Sequence, residues 1–172
     1  MIRKANYNDL DRITEIYDQI HDFEEAGKLA IGWIRNVYPV RKTAEASLAR
    51  DDLFVLEDGG VIVASAIINQ IQVPEYADAS WEYEAHDGEI MILHTLTVDP
   101  FRQGKDYGKT FVEFYEQYAK EHHCKELRMD TNAKNAIARR MYQKLGYKET
   151  DIVPCVFNGI PDVMLVCLEK HL

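Results

Sequence analysis

The sequence predicts a mixed α/β fold, a central β-sheet flanked by helices, and three observations carry that expectation. β-rich apolar runs recur at residues 53–56, 61–68 and 90–98. From residue 90 onward the pattern becomes strand–helix–strand–helix–strand, with apolar spacing switching between periods of two and 3.6. Glycines fall where such a chain must reverse, at Gly59-Gly60 and Gly146.

Taken in order, residues 2–5 read as a first strand. Asn6-Tyr7-Asn8-Asp9 offers capping side chains, and Leu10, Ile13, Ile16, Tyr17 and Ile20 then mark an amphipathic helix. Residues 21–29 end that helix and pass into a loop around Gly27. Trp33, Ile34, Val37 and Tyr38, stopping at Pro39, point to a short helix or a turn, and residues 43–50 have a helical composition. The runs at 53–56 and 61–68 are joined by Glu57-Asp58-Gly59-Gly60, whose glycines supply the positive φ of a tight hairpin. Residues 70–88 are irregular, acidic and aromatic, with Pro74, Tyr76, Trp81 and Tyr83; they form either a surface excursion or a wall of an acceptor pocket. The run at 90–98 is the central strand. A helix over 107–122 carries Phe111, Val112, Tyr115, Tyr118 and Ala119 at helical spacing. Residues 126–130 make a further strand, 135–145 a second helix closed by Gly146, and 147–150 and 163–169 the last two strands. With no repeat, linker or low-complexity stretch, residues 1–172 are expected to form a single domain.

Composition narrows the function classes. A hydrophobic content of 47% beside 28% charged residues is that of a soluble globular protein. No run approaches the roughly 18 apolar residues of a membrane helix, and Met1-Ile2-Arg3-Lys4-Ala5 lacks a signal-peptide core, so no membrane partner is expected. Cys124, Cys155 and Cys167 are unpatterned, which favours a reducing, cytoplasmic setting. A formal net charge of −9 argues against nucleic acid as a partner. Between Asp51 and Phe101 there is no Lys or Arg, whereas cations return from Arg102 onward. That asymmetry fits either a solvated acidic surface or an acidic mouth for a cationic acceptor beside a basic mouth for an anionic cofactor. His122-His123-Cys124 invites a metal, but a cluster at a helix end without further ligands reads as surface, and no metal is expected.

The most chemical stretch runs from Val98 to Lys109. A strand, a loop with Gly104 and Gly108 and the cations Arg102, Lys105 and Lys109, and a helix start make a phosphate-holding arrangement, because the first helical N–H groups lack internal partners. This segment resembles the acetyl-CoA-binding segment of the GCN5-related N-acetyltransferase (GNAT) superfamily, Gln/Arg-x-x-Gly-x-Gly/Ala. Gln103 fills the first position and Gly108 the last, while Asp106 stands where the middle glycine is expected. The Asp106 carboxylate would repel a pyrophosphate unless it uses its tolerance of left-handed backbone, or caps the helix, while pointing to solvent. Residues 135–147 are similar to the second motif of that superfamily, Asn-x-x-Ala-x-x-Leu/Met-Tyr-x-Lys-x-Gly-Tyr/Phe, at Asn135, Ala138, Met141, Tyr142, Lys144, Gly146 and Tyr147. The resemblance covers residues 89–147.

The resemblance implies the GNAT acyl-CoA N-acyltransferase fold and acetyl transfer from acetyl-CoA, as co-substrate, to a primary amine by direct attack. It places the pyrophosphate on the backbone of Gln103, Gly104, Lys105, Asp106, Tyr107 and Gly108, with Lys109 adding charge. The pantetheine arm would pair with the backbone of Leu96, Thr97 and Val98, and Asn135 would touch the cofactor. Tyr142 would protonate the leaving thiolate. An alkylamine titrates near ~10, so a base is needed. His94 is the first candidate, with Glu89, Glu84 and Asp99 behind it. The acceptor, a small cationic amine or a peptide amine, is left open, as is a homodimer. Another acyl-CoA on the same fold, or a non-catalytic CoA-binding module, are the alternatives.

Overall fold

The computed structural model describes residues 1–172. Its strands are β1 (Ile2–Lys4), β2 (Leu53–Asp58), β3 (Val61–Asn69), β4 (Ile90–Val98), β5 (Glu126–Asn132), β6 (Lys148–Phe157) and β7 (Ile160–His171), and its helices are α1 (Leu10–Glu25), α2 (Arg41–Ala49), α3 (Tyr107–Glu121) and α4 (Ala136–Lys144). The strands form one seven-stranded sheet in the order β1-β2-β3-β4-β5-β7-β6. Every neighbouring pair is antiparallel except β4 and β5. The mixed sheet with flanking helices is therefore as expected. No helix is long and apolar enough to cross a membrane.

Local chemistry explains the reversals. Gly59 and Gly60 turn β2 into β3 with φ of 60° and 77°. Asn158 and Gly159, at 52° and 78°, turn β6 into β7. This second hairpin makes the last two strands far longer than residues 147–150 and 163–169. At the start of α1 the Asn6 side chain accepts from Asn8 N–H at 2.9 Å and Asp9 accepts from Asn6 N–H at 2.8 Å. Of the short helix or turn expected over residues 30–40, the structure takes the turn, closed by an Ile34–Tyr38 bridge.

The two faces of the sheet follow the strand period. Along β2, Leu53 and Val55 pack against α1 and α2, while Phe54 and Leu56 pack in the core under α3 and α4. A third apolar cluster, around Tyr76, Ile90, Ile92 and Leu165, lies where α1 and α2 do not reach. Residues 70–89 cover it: Val73, Ala79, Trp81 and Ala85 pack on it, and Trp81 Nε1 donates to Tyr76 O at 2.9 Å. That segment is more than a surface excursion; Val73 lines the main cavity of the molecule, and Ile71, Gln72 and Pro74 line a shallower neighbour.

β4 and β5 pair only from Ile90↔Glu126 to Leu93↔Met129. Beyond that point β4 stays with β3 and β5 stays with β7, so the sheet forks. At the parting Thr95 has φ of 49°, and the β3–β4 register shifts between Ser65 and Ile67. Left-handed backbone is costly for a β-branched residue, on the order of 1–3 kcal/mol. A hydrogen bond between the Tyr38 hydroxyl and Thr95 Oγ1 helps hold it there.

Candidate active site

The fork opens into a cavity of about 540 Å³ that passes through the sheet. On the α3–α4 face its wall comprises the end of β4, the loop 99–106, the start of α3 and the turn into α4. On the opposite face the wall is mostly apolar and comes from α1, the α1–α2 loop and the β6–β7 hairpin.

Residues of the loop shape it. Asp99, 3% exposed, accepts from Phe101 N–H at 2.8 Å and also grips the guanidinium of Arg12. Gly104 has φ of 84° and Asp106 of 54°. Asp106 thus adopts a left-handed backbone, the region that glycine tolerates best, with an exposed side chain that makes no helix-capping bond. The N–H groups of residues 103–109 find no acceptor within the chain. Unpartnered N–H groups at the N-terminus of α3 form a cradle for an anion. Gly108 has another purpose: an added Cβ would lie 3.2 Å from Met141 Sδ, so its smallness lets α3 begin against α4.

Each loop cation already has a carboxylate neighbour. Lys105 lies 3.2 Å from Asp58, which also receives the Tyr107 hydroxyl, Arg102 lies 3.6 Å from Asp99, and Lys109 lies 3.6 Å from Glu113. The exposed pairs of Lys105 and Lys109 are worth about 0–1 kcal/mol, and Arg102 is only a second, longer partner of the buried Asp99, so an incoming phosphate can compete for the cations. Lys134, on the opposite lip, lines the cavity with its own N–H tied to Asn132 Oδ1 at 3.0 Å; the motif reading passed over it.

Asp99 N–H bonds Val63 O of β3 at 2.8 Å, so strand alternation turns the N–H and C=O of Val98, and of Leu96, toward the fork. Thr97 also lines the cavity, with its hydroxyl 2.7 Å from Ser65 Oγ and its backbone turned toward β3. Gln103 lines the cavity from an exposed position. Asn135 Oδ1 caps α4 by accepting from Ala138 N–H at 3.2 Å, leaving its amide nitrogen for a ligand. Tyr142, 6% exposed, reaches the same cavity, its ring edge-on to Tyr147 at 6.1 Å. Burial, then the nearby Asp130 charge, hold its phenol well above the ordinary range, so it stays protonated.

The sequence-derived bases separate. His94 lines this cavity and a shallower neighbour of about 510 Å³, with Nε2 3.0 Å from Asn69 Oδ1. Burial lowers its pKa to about 4, so the ring is neutral and weakly basic. Glu84 and Glu89 do not line the cavity, and Glu89 pairs with Lys125 at 2.9 Å. Of all the carboxylates between residues 51 and 101, only Asp99 reaches the cavity, and Arg12 occupies it. The acidic mouth is therefore not formed: Glu82, for example, pairs with Lys148 at 2.8 Å. Asp130 was read only as the end of a strand, yet it lines the cavity and accepts from the Tyr76 hydroxyl at 2.6 Å. His122, His123 and Cys124 do not converge, since His122 Nδ1 bonds Tyr118 O at 2.8 Å and Cys124 is buried.

The α1–α2 loop is clamped over the cavity by Glu24, which accepts from Ile31 and Gly32 N–H at 2.7 and 2.8 Å. Gly32 has φ of 85°, and a Cβ there would sit 2.3 Å from Asn132 Nδ2. Gly32→Ala is expected to cost about 2 kcal/mol, lowering Tm by about 4–8 °C. Adding Asn132→Gly should restore the steric part. Thermal denaturation of both variants checks this; an unchanged Tm in Gly32→Ala refutes the tight contact.

Comparison with known proteins gives the same picture. The sequence profile of the acetyltransferase (GNAT) family matches residues 10–147. No curated protein matches the chain by sequence. Similar solved structures include an acetyltransferase of the GNAT family from Streptococcus agalactiae, with TM-score 0.82 and 20% identity over 100% of this chain and 95% of that one. yncA from Salmonella typhimurium, solved with its cofactor acetyl-CoA, gives 0.70 and 20% over 100% and 93%. Ribosomal-protein-alanine N-acetyltransferase from Brucella melitensis gives 0.72 and 20% over 100% and 99%. At these identities the likeness is one of fold.

Proposed function

The chain belongs to the acetyltransferase (GNAT) family, enzymes that use acetyl-CoA, and from that premise we propose that it acetylates a primary amine by direct attack within the forked cavity. Acetyl-CoA supplies the acetyl group as an activated thioester. The observation that carries the reading is the run of unpartnered N–H groups over residues 103–108 opening onto the cavity that Tyr142 lines; Lys109 N–H is also unpartnered but lies outside the cavity wall.

Roles for the remaining residues follow from their chemistry. Gln103, Gly104, Lys105, Asp106, Tyr107, Gly108 and Lys109 hold the pyrophosphate, with Lys134 as a further cation. The free backbone edge at Leu96 and Val98 pairs with the amides of the pantetheine arm, Thr97 between them lines the same stretch of cavity while fixing the strand to β3, and the Asn135 amide steadies the arm. Tyr142 gives its phenolic proton to the departing sulfur. His94, neutral through the physiological range, faces the acceptor side and can accept a hydrogen bond from the amine. We take residues 1–172 to act as one domain, since one sheet spans Ile2 to His171. Asp106, exposed and left-handed, gives little support to the alternative of a non-catalytic CoA-binding module.

Calorimetric titration with acetyl-CoA tests this reading. Micromolar binding is expected, weakening with added salt because charged lips contribute. No heat of binding at millimolar ligand would remove the acetyltransferase assignment.

A further inference from the structure

Three carboxylates line the cavity, and two are committed elsewhere: Asp99 holds Arg12, and Asp106 is exposed on the cofactor loop. The third is Asp130, the first residue of β5 beyond its last pair with β4. One of its oxygens, Oδ2, receives the Tyr76 hydroxyl; Oδ1 has no partner in the chain. The wall across from the cofactor loop carries Trp33, Tyr38, Val73, Phe157, Ile160 and Leu165. All cations lining the cavity, Arg102, Lys105 and Lys134, belong to the cofactor side. The acceptor side therefore offers one negative charge inside an apolar, aromatic pocket.

Building on the acetyl-transfer reading, we propose that Asp130, oriented by Tyr76, receives the acceptor's ammonium group and removes its proton, and that the acceptor is a primary amine bearing an apolar, ring-sized substituent. In the step, one N–H bond of the ammonium breaks as an O–H bond forms on Asp130 Oδ1. The nitrogen keeps the electron pair as its nucleophilic lone pair; after attack it sheds a second proton, which replaces the one Tyr142 gives to the sulfur, and the proton held on Asp130 passes to water when the product leaves. A polyamine fits poorly, because its second positive charge would meet only apolar walls. The acidic surface over residues 51–101 plays no part in this recognition.

The electrostatics agree with the geometry. Burial raises Asp130 to about 6, opposed by the Tyr76 hydrogen bond and reinforced by Glu75. The other titratable groups around it are Tyr38 from the α1–α2 loop, Tyr142 from α4, Cys155 from β6 and Cys167 from β7, and none carries positive charge. A carboxyl near 6 is mostly ionised at neutral pH yet basic enough to take a proton within the complex. Its ionised form is the disfavoured one in the folded chain. An unfolded aspartate titrates near ~3.9, so the stability this one group contributes is fully present below that value and falls away as pH rises through about 6.

The test compares the parent with Asp130→Asn and Tyr76→Phe, using 2-phenylethylamine, ethylamine and spermidine as acceptors and calorimetry with acetyl-CoA as a control. The parent is expected to favour 2-phenylethylamine over ethylamine by about 30-fold or more in kcat/KM, from the buried ring, and over spermidine as well. Its kcat/KM should fall below about pH 6. Asp130→Asn should lose about 100-fold at neutral pH and abolish that acid limb, with acetyl-CoA binding unchanged. It should also melt above the parent at about pH 8, the gap closing below about pH 4. Tyr76→Phe should move the acid limb to higher pH, since the lost hydrogen bond favoured the carboxylate. An Asp130→Asn variant within about threefold of the parent with the limb intact, or a preference for spermidine, would overturn the proposal. Failure of the parent to bind acetyl-CoA would instead strike the acetyl-transfer reading beneath it.

Discussion

Tyr142→Phe is expected to lower kcat by about 100- to 1,000-fold while leaving the Kd for acetyl-CoA within about twofold, because only a proton donor is lost. The ring is held by α4 and by its edge-on contact with Tyr147 at 6.1 Å, and Phe keeps both. The hydroxyl has no partner in the chain to leave unsatisfied, so stability should change little. A phenol pushed above its ordinary range is a reluctant acid, which makes the identity of what pushes it important. After burial, the cause is the charge of Asp130. If Asp130 takes the ammonium proton, that charge disappears, and Tyr142 becomes a readier donor at the stage when the sulfur needs a proton. Base and acid are thereby coupled through the fork, and the double variant with Asp130→Asn should lose less than the product of the single losses. Stopped assays of CoA release with both single variants and the double variant check this. Near-parental kcat in Tyr142→Phe would mean that water or another group protonates the sulfur.

Much of this arrangement could be read from residue pattern, and the exceptions have physical reasons. β4 was legible to the residue, since eight of its nine positions, all but His94, are apolar or β-branched and suit a strand buried on both faces. α3 and α4 were legible from spacing, and Gly146 closes α4 with φ of 88°. The β6–β7 hairpin has an equally strong turn signal in Asn158-Gly159, but Asp151, Pro154 and Asp162 interrupt the apolar runs on either side of it and so obscure its length. The fork was not legible. It depends on Thr95 adopting a left-handed backbone that no threonine advertises, supported by Tyr38 from a loop far away in sequence. The role of residues 70–89 was hidden for a similar reason: acidity suggested a charged wall, whereas Tyr76 and Trp81 are used as apolar cover. Asp130 looked like any strand-end aspartate until the parting of β4 and β5 turned it into the cavity. His94 illustrates the reverse error, a residue whose type promises a base and whose burial, with pKa lowered to about 4, weakens it.

Tyr115→Ala is expected to remove about 4 kcal/mol of stability and to lower Tm by about 8–16 °C. In sequence Tyr115 is one more member of the apolar stripe of α3. In the fold it is fully buried, and its single hydroxyl proton is shared between Met91 O of β4 at 2.6 Å and Arg128 O of β5 at 3.1 Å. Those strands are still paired at Met91↔Leu127 and part beyond Leu93↔Met129, so the phenol ties α3 to the sheet just below the fork. Truncation deletes the ring, leaves a cavity and strips one hydrogen bond from each strand. Tyr115→Phe separates the two contributions: it keeps the ring and should cost only about 1 kcal/mol. Function should follow the same division. Because α3 begins at the phosphate loop, loosening its seat should weaken acetyl-CoA binding in the Ala variant by about tenfold, with little change in the Phe variant. Chemical denaturation and calorimetry of both variants decide the matter. If Tyr115→Ala stays within about 1 kcal/mol of the parent, the surroundings collapse into the space, and the fork's integrity resides in the strand pairing rather than in the helix packed across it.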